Sequence, residues 1–355
     1  MKNFKKMSVL LLSGVGFAAV FLFSAPLKTG IQNGLTLCGS VIIPSLFPPL
    51  CICSFLQLSG ALNASGRLCK RLSSILFGLP PCALPVFLLS LISGYPAGAA
   101  LCAQLQKSGQ LTLPQSRLLA TVSVGAGPGF LVLAVGDGML HNMRYGFLLL
   151  ITHILSAMLT AVLFCHMFKV SDSGATQRPS PRLPLAEAFV QAVAKASASI
   201  LSICAYTILF SGLIGILSAL ITNKTGFFAA VAALEVSNGC VFLAQLLPSI
   251  PLIAGITGFG GFSVICQVLS AAGPARPKTG LFLSARLLNG CISYLLASVL
   301  IGLIPNALPV YYGAKPSGFS FSSHTLLFSA CLFCLCVVFL FSTRQRKIKK
   351  LVDFF

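Results

Sequence analysis

Long apolar runs dominate the chain, and short polar or basic segments separate them. A membrane-crossing helix needs about 20 predominantly apolar residues. Runs of that kind occur at 7–25, 33–60, 118–136, 145–168, 188–220, 250–272, 281–304 and 323–342. Two further apolar segments, 80–107 and 227–247, are each interrupted near the middle by polar and glycine residues. Each arm is about ten residues, or roughly 15 Å of helix, half of a ~30 Å hydrocarbon core. The pattern predicts an all-α polytopic membrane protein with about eight full transmembrane helices and two broken or re-entrant helical hairpins. The first interruption reads Ser93-Gly94-Tyr95-Pro96-Ala97-Gly98, and the second Glu235-Val236-Ser237-Asn238-Gly239. Glycine weakens a helix and Pro96 lacks an amide donor, so the backbone must break there. Lipid gives unpaired backbone groups no partner. Such breaks are therefore expected inside protein or along a wet cavity.

Composition agrees with the pattern. The chain of 355 residues is 56% hydrophobic and 8% charged, far from the roughly 25% charged residues of soluble domains. The net charge of +19 comes from basic residues between apolar runs, which marks membrane orientation rather than nucleic-acid binding. With the amino terminus inside and both broken segments returning to the side they left, twenty of the 24 lysines and arginines fall on the cytoplasmic face. Lys195 and Arg286 are among those twenty. Lys28, Arg144, Lys224 and Lys315 fall outside, and both termini are cytoplasmic. The first apolar run exceeds the 7–15 residues of a signal peptide core, so it is expected to stay as a helix. The 14 cysteines lie mostly in apolar runs and read as packed thiols. Cys331 and Cys334 have metal-site spacing but no histidine beside them.

The two halves of the chain look related. Gly98, Ala103, Gln104 and Leu105 align in register with Gly239, Ala244, Gln245 and Leu246, and Gly125-Ala126-Gly127 with Gly258-Phe259-Gly260. The expected organisation is an anchor helix at 1–30, a first repeat at 31–168, a polar cytoplasmic linker at 169–186, a second repeat at 187–305, and a final helix with basic tail at 306–355. Given the orientation above, the repeats are inverted. Transporters of that type place their solute near the midplane, between the interrupted segments.

Candidate chemistry follows the breaks. Glu235 is the only acidic residue well inside an apolar segment, where a carboxyl faces a cavity or a partner. It reads as a solute acceptor or coupling-ion ligand, or as a cap on its own broken backbone. Ser237 and Asn238 add a hydroxyl and an amide at the same break. Ser93 and Tyr95 supply a hydroxyl and a phenol at the other. Gly94, Pro96, Gly98 and Gly239 make the breaks themselves. Gly127, Pro128, Gly260 and Gly261 mark two further glycine-rich stretches, which permit either close helix packing or unwound backbone. Gln104 and Gln245 line the cavity or bridge helices. His153 and His166 have no ligand spacing and read as packing or interfacial residues. No metal site or cofactor is expected, and no nucleotide loop or clustered carboxylate set points to an enzyme.

The motifs Ser93-Gly94-Tyr95-Pro96-x-Gly98, Gly127-Pro128-x-Phe130, Glu235-x2-Asn238-Gly239 and Phe259-Gly260-Gly261-Phe262-Ser263-Val264-x2-Gln267 resemble the YlbJ family of sporulation integral membrane proteins. That family belongs to a wider nucleoside-recognition or Gate group of membrane domains. The resemblance adds Gln267 to the candidate site. It implies a multi-pass protein of the plasma or forespore membrane, acting in endospore formation and on the spore cortex. It also implies a gate for a small polar, nucleoside-like solute. The first glycine-rich stretch departs from it, because Val124-Gly125-Ala126 offers no polar side chain before Gly127-Pro128. The expected partners are the lipid bilayer and that solute; self-association into a homo-oligomer is left open. The alternative is a non-transporting structural or assembly protein of the forespore membrane. The few buried ionisable groups favour that alternative or an uncoupled facilitator.

Overall fold

Breaks in the apolar runs, made by glycine, proline and capping residues, set the element order. The computed structural model describes residues 2–60, 67–170, 183–246 and 249–302. It begins with α1 (Lys2–Leu22) and α2 (Ser24–Leu37). A wide π-helical turn at Cys38–Ile42 joins α2 to α3 (Ile43–Leu58), so α2 and α3 form one long rod. Next come α4 (Arg67–Phe77), α5 (Ala83–Ser93), α6 (Tyr95–Lys107) and α7 (Leu113–Val122). A π-helical stretch, Gly129–Met139, leads to α8 (Met143–Met167). The second half holds α9 (Leu185–Leu220), α10 (Lys224–Leu234), α11 (Val236–Leu246), α12 (Ile250–Phe259), α13 (Gly261–Ala271) and α14 (Thr279–Ile301). No strand occurs among the described residues.

Among the described residues, five helices are long and apolar enough to cross a membrane: Ser24–Leu58, Met143–Met167, Leu185–Leu220, Ile250–Ala271 and Thr279–Ile301. The structure differs from the expectation of eight at two places and leaves a third outside the described residues. The run 118–136 is not one helix, because α7 stops at Val122 and the backbone is irregular from Ser123 to Val124 and on to the π-helical stretch. The run 7–25 falls mostly in α1, whose apolar portion Ser13–Leu22 is shorter. The run 323–342 lies outside the described residues. So do Cys331, Cys334, Lys315, the basic tail and most of the 169–186 linker.

Small residues let the long helices approach closely. A Cβ built on Gly30 of α2 would sit 2.3 Å from the Ser211 carbonyl oxygen of α9, and one on Gly215 of α9 2.2 Å from that of Pro26. Helices in lipid associate through this kind of close backbone packing, because apolar burial alone gives them little drive. Gly258 of α12 meets Gly290 and Ser293 of α14 in the same way. A buried core then runs through α5 to α8 and α11 to α14, and contains Phe87, Leu131 and Phe282.

Both interrupted segments fold back on themselves. A Cβ on Gly98 would lie 2.6 Å from that of Ser90, and these residues stand four before and four after Gly94. Phe228 stacks on Phe242 at 5.4 Å, and they stand seven before and seven after Glu235. Such symmetric pairing about a break defines an antiparallel hairpin. Chain order is the same in each half: a long helix, a hairpin, a helix interrupted at a glycine-rich stretch, and a final long helix.

Candidate functional site

The first break forms at Gly94, whose φ of 92° is open to glycine and strained for other residues. Pro96 sits in the first turn of α6, where a missing amide costs nothing. The second break forms differently. Glu235 has φ −146° and ψ 122°, an extended conformation that any L-residue adopts. Its carboxylate holds the break open by capping α11. Oε2 of Glu235 accepts from the Asn238 backbone amide at 2.7 Å and from Asn238 Nδ2 at 2.9 Å. Asn238 Nδ2 also donates to Ser211 Oγ of α9 at 2.8 Å.

These residues converge. A cavity of about 30 Å³ is lined by Ser93, Tyr95, Glu235, Ser237 and Gln267, together with Gly94, Pro96 and Gly127. Asn238 stands behind Glu235 and reaches the cavity only through it. Gln267 of α13 is buried and donates to Ser263 Oγ at 3.1 Å. At about 30 Å³ the cavity has room for one or two waters but not for an organic solute. A second, wider cavity of about 300 Å³ adjoins it and shares Ser93, Pro96 and Gln267. The wall between the two is therefore the tip of the first hairpin plus one side chain of α13.

The glycine-rich stretches are unwound, not merely closely packed. Gly260 and Gly261 carry φ of 89° and 77°, and the chain passes from α12 to α13 through them. At Gly127 a Cβ would lie 2.7 Å from the Ile92 carbonyl oxygen, so only glycine lets this strand of backbone lie against the end of α5. Pro128 leads directly into the π-helical stretch. Gln104 bridges helices: it accepts from Gln57 of α3 at 2.8 Å. Gln245 is exposed and lines neither cavity.

Two residues hold this architecture that the sequence reading assigned elsewhere. Arg286 counts there among the cytoplasmic charges that set orientation. In the structure it is 3% exposed and lies inside the core. Its Nε donates to the Phe259 carbonyl at 3.1 Å, Nη1 to that of Val124 at 2.5 Å, and Nη2 to that of Gly258. The guanidinium thus satisfies carbonyls freed at the end of α12 and just past the end of α7, where helix dipoles turn their negative ends. Its planar fork suits three acceptors spread in space. His153 of α8 is the second. Its Nε2 accepts from the Ala126 amide at 2.8 Å, pinning the unwound backbone between α7 and Gly129. With Nε2 accepting, the neutral ring carries its proton on Nδ1, which is buried without a hydrogen-bond partner among the described residues. A further bond joins the halves: the Tyr95 hydroxyl donates to the Thr257 carbonyl at 2.8 Å. No local motif announces these roles. The one usable signal is Arg286 itself, a charge eight residues into an apolar helix. Among the described residues no group of three or more metal-ligating side chains occurs.

Mostly helical and without a strand among its described residues, with five spans there long enough for a bilayer and buried polar breaks between them, the chain is a polytopic all-α membrane protein. It is similar to the sporulation integral membrane protein YlbJ of Bacillus subtilis (strain 168), with 24% identity over 300 residues, covering 73% of this chain and 74% of that one. This supports the family resemblance carried by the break motifs. No protein-family model matches the chain. No solved structure matches it either.

Proposed function

We propose that this protein is a non-enzymatic carrier or facilitator for a small polar solute, working in the membranes of an endospore-forming cell. The single observation that carries the reading is convergence. Two hairpin breaks far apart in sequence, at Ser93–Tyr95 and Glu235–Ser237, place polar side chains on one small, largely apolar cavity beside a solute-sized one. Small-molecule sites are typically clefts of about 300 Å³ or more, with few polar groups placed among apolar walls. The role in sporulation rests on the similarity to YlbJ, and the nucleoside-like solute on the motif resemblance.

In this reading the two halves are inverted repeats and both hairpins re-enter the membrane. The solute occupies the wider cavity first. A shift of the Ser93–Pro96 tip then joins it to the smaller cavity, where Glu235, Ser237 and Gln267 offer hydrogen-bonding groups. Rocking of one repeat against the other would carry it to the opposite side. Both termini face the cytoplasm. The test is uptake of nucleosides, nucleobases and amino acids by the reconstituted protein, with Glu235→Gln and Asn238→Ala beside the wild type. Saturable uptake that falls in both variants is expected. Uptake unchanged by both would remove this site, and absence of any uptake would favour a structural role in the forespore membrane.

A further inference from the structure

The wider cavity holds a cation with no acid to meet it. Lys195 of α9 lines the cavity, and its Nζ donates to Gln57 Oε1 of α3. Gln57 is neutral, and no acidic residue lines the cavity. A lysine near a membrane surface ordinarily extends its ammonium into water or headgroups. This one instead reaches across to the neighbouring helix and keeps its charge on the cavity wall. Among the described residues, two of the ammonium's three donors have no partner. The hydroxyls of Ser202 and Ser270 line the same cavity and form no hydrogen bond within the described residues. The amide of Gln267 also faces it. One half-buried cation, two uncommitted hydroxyls and no carboxylate make a site for a single negative charge.

We infer that the cavity bounded by Lys195, Gln57, Ser202 and Ser270 binds an oxyanion group, a carboxylate or a phosphate, borne by a small solute. The inference names the solute class for the carrier reading and rests on it in one respect, that the cavity admits a solute. Ammonium–oxyanion bonds are charge-assisted and about twice as strong as neutral ones. The remainder of such a solute would extend past Ser93 and Gln267 toward Glu235, where neutral donor groups find acceptors. A lipid headgroup carries the same phosphate chemistry, so the test must separate the two sources.

The experiment measures thermal melting of the full-length protein in phosphatidylcholine nanodiscs, at constant ionic strength. Inorganic phosphate and succinate are titrated against chloride, and a parallel series replaces part of the phosphatidylcholine with phosphatidylglycerol. Ligand binding raises the melting temperature by mass action. The expected result is a saturable rise with phosphate or succinate in the wild type. Apparent affinity should fall roughly tenfold or more in Lys195→Gln and be largely kept in Lys195→Arg. A Lys195-dependent rise seen only with phosphatidylglycerol would assign the oxyanion to a headgroup and overturn the solute assignment. Equal shifts in wild type and Lys195→Gln, or none with any probe, would overturn the site itself. Gel filtration and the unliganded melting temperature of Lys195→Gln verify its folding. Oxyanion binding without uptake would leave this site standing and defeat the carrier reading. Uptake indifferent to Lys195→Gln would do the reverse.

Discussion

The two hairpins reach one shape by different physics. The first is made by backbone permissiveness. Gly94 takes a φ that side chains resist, and Gly98 lets α6 lie against α5 and under the Ser123 carbonyl. The second is made by a side chain. Glu235 stays in ordinary extended backbone and uses its carboxylate as an N-cap for α11. Its turn is also looser, since a Cβ on Gly239 would meet its nearest neighbour, Ala232 Cα, at 3.3 Å. The first hairpin is therefore sensitive to bulk, and the second to loss of an acceptor. Only the second adds polar chemistry by virtue of how it is built.

The largest expected effect falls on the residue that ties together the glycine-rich stretches following the two hairpins. Arg286→Met leaves the Val124, Gly258 and Phe259 carbonyls without their donor. Each buried orphan costs on the order of 1–3 kcal/mol, so the variant should lose most folded protein in detergent melting. Arg286→Lys should recover only part, because one ammonium cannot span three acceptors in the same plane. A melting curve like the wild type for Arg286→Met would show that the clasp is dispensable.

The direct contrast comes next. Gly98→Ala places a methyl 2.1 Å from the Ser123 carbonyl oxygen, whereas Gly239→Ala needs a shift of a few tenths of an ångström. Forced overpacking costs about 1–3 kcal/mol. Gly98→Ala should thus lower the melting temperature clearly more than Gly239→Ala, and the reverse order would break the comparison. Glu235→Ala removes a cap worth about 0.5–2 kcal/mol. Glu235→Gln keeps an oxygen for the Asn238 amide and should melt closer to the wild type. Equal losses in the two variants would mean that charge, not capping, holds the break. The smallest effect belongs to Tyr95→Phe, which removes one bond to the Thr257 carbonyl and should cost about 0.5–1.5 kcal/mol.

Much of this was open to a reader of the sequence. A glycine-proline cluster and a carboxylate inside apolar runs are local signals with local causes, so the break positions at Gly94 and Glu235 could be placed in advance. The helical class followed from run length alone. What escaped was decided by partners distant in the chain. Arg286 looks like an orientation charge until the Val124 carbonyl, 162 residues away, is found against its guanidinium. His153 reads as a packing or interfacial residue until Ala126 presents an amide to it. The run 118–136 passes a hydropathy test and still unwinds, because its freed backbone groups find His153 and Arg286. Lys195 sits where orientation signals are expected, and only the facing Gln57 and the absence of an acid on the cavity wall set it apart.

The Arg286 clasp also orders the protein's biogenesis. Ribosomes deliver the first hairpin and the unwound stretch behind α7 long before α14 exists. Until residue 286 emerges and α14 inserts, the Val124 carbonyl waits for a donor that the nascent chain has not yet supplied. A chain truncated before α14 would present quality-control proteases with a half-built core, whatever its own helices had achieved.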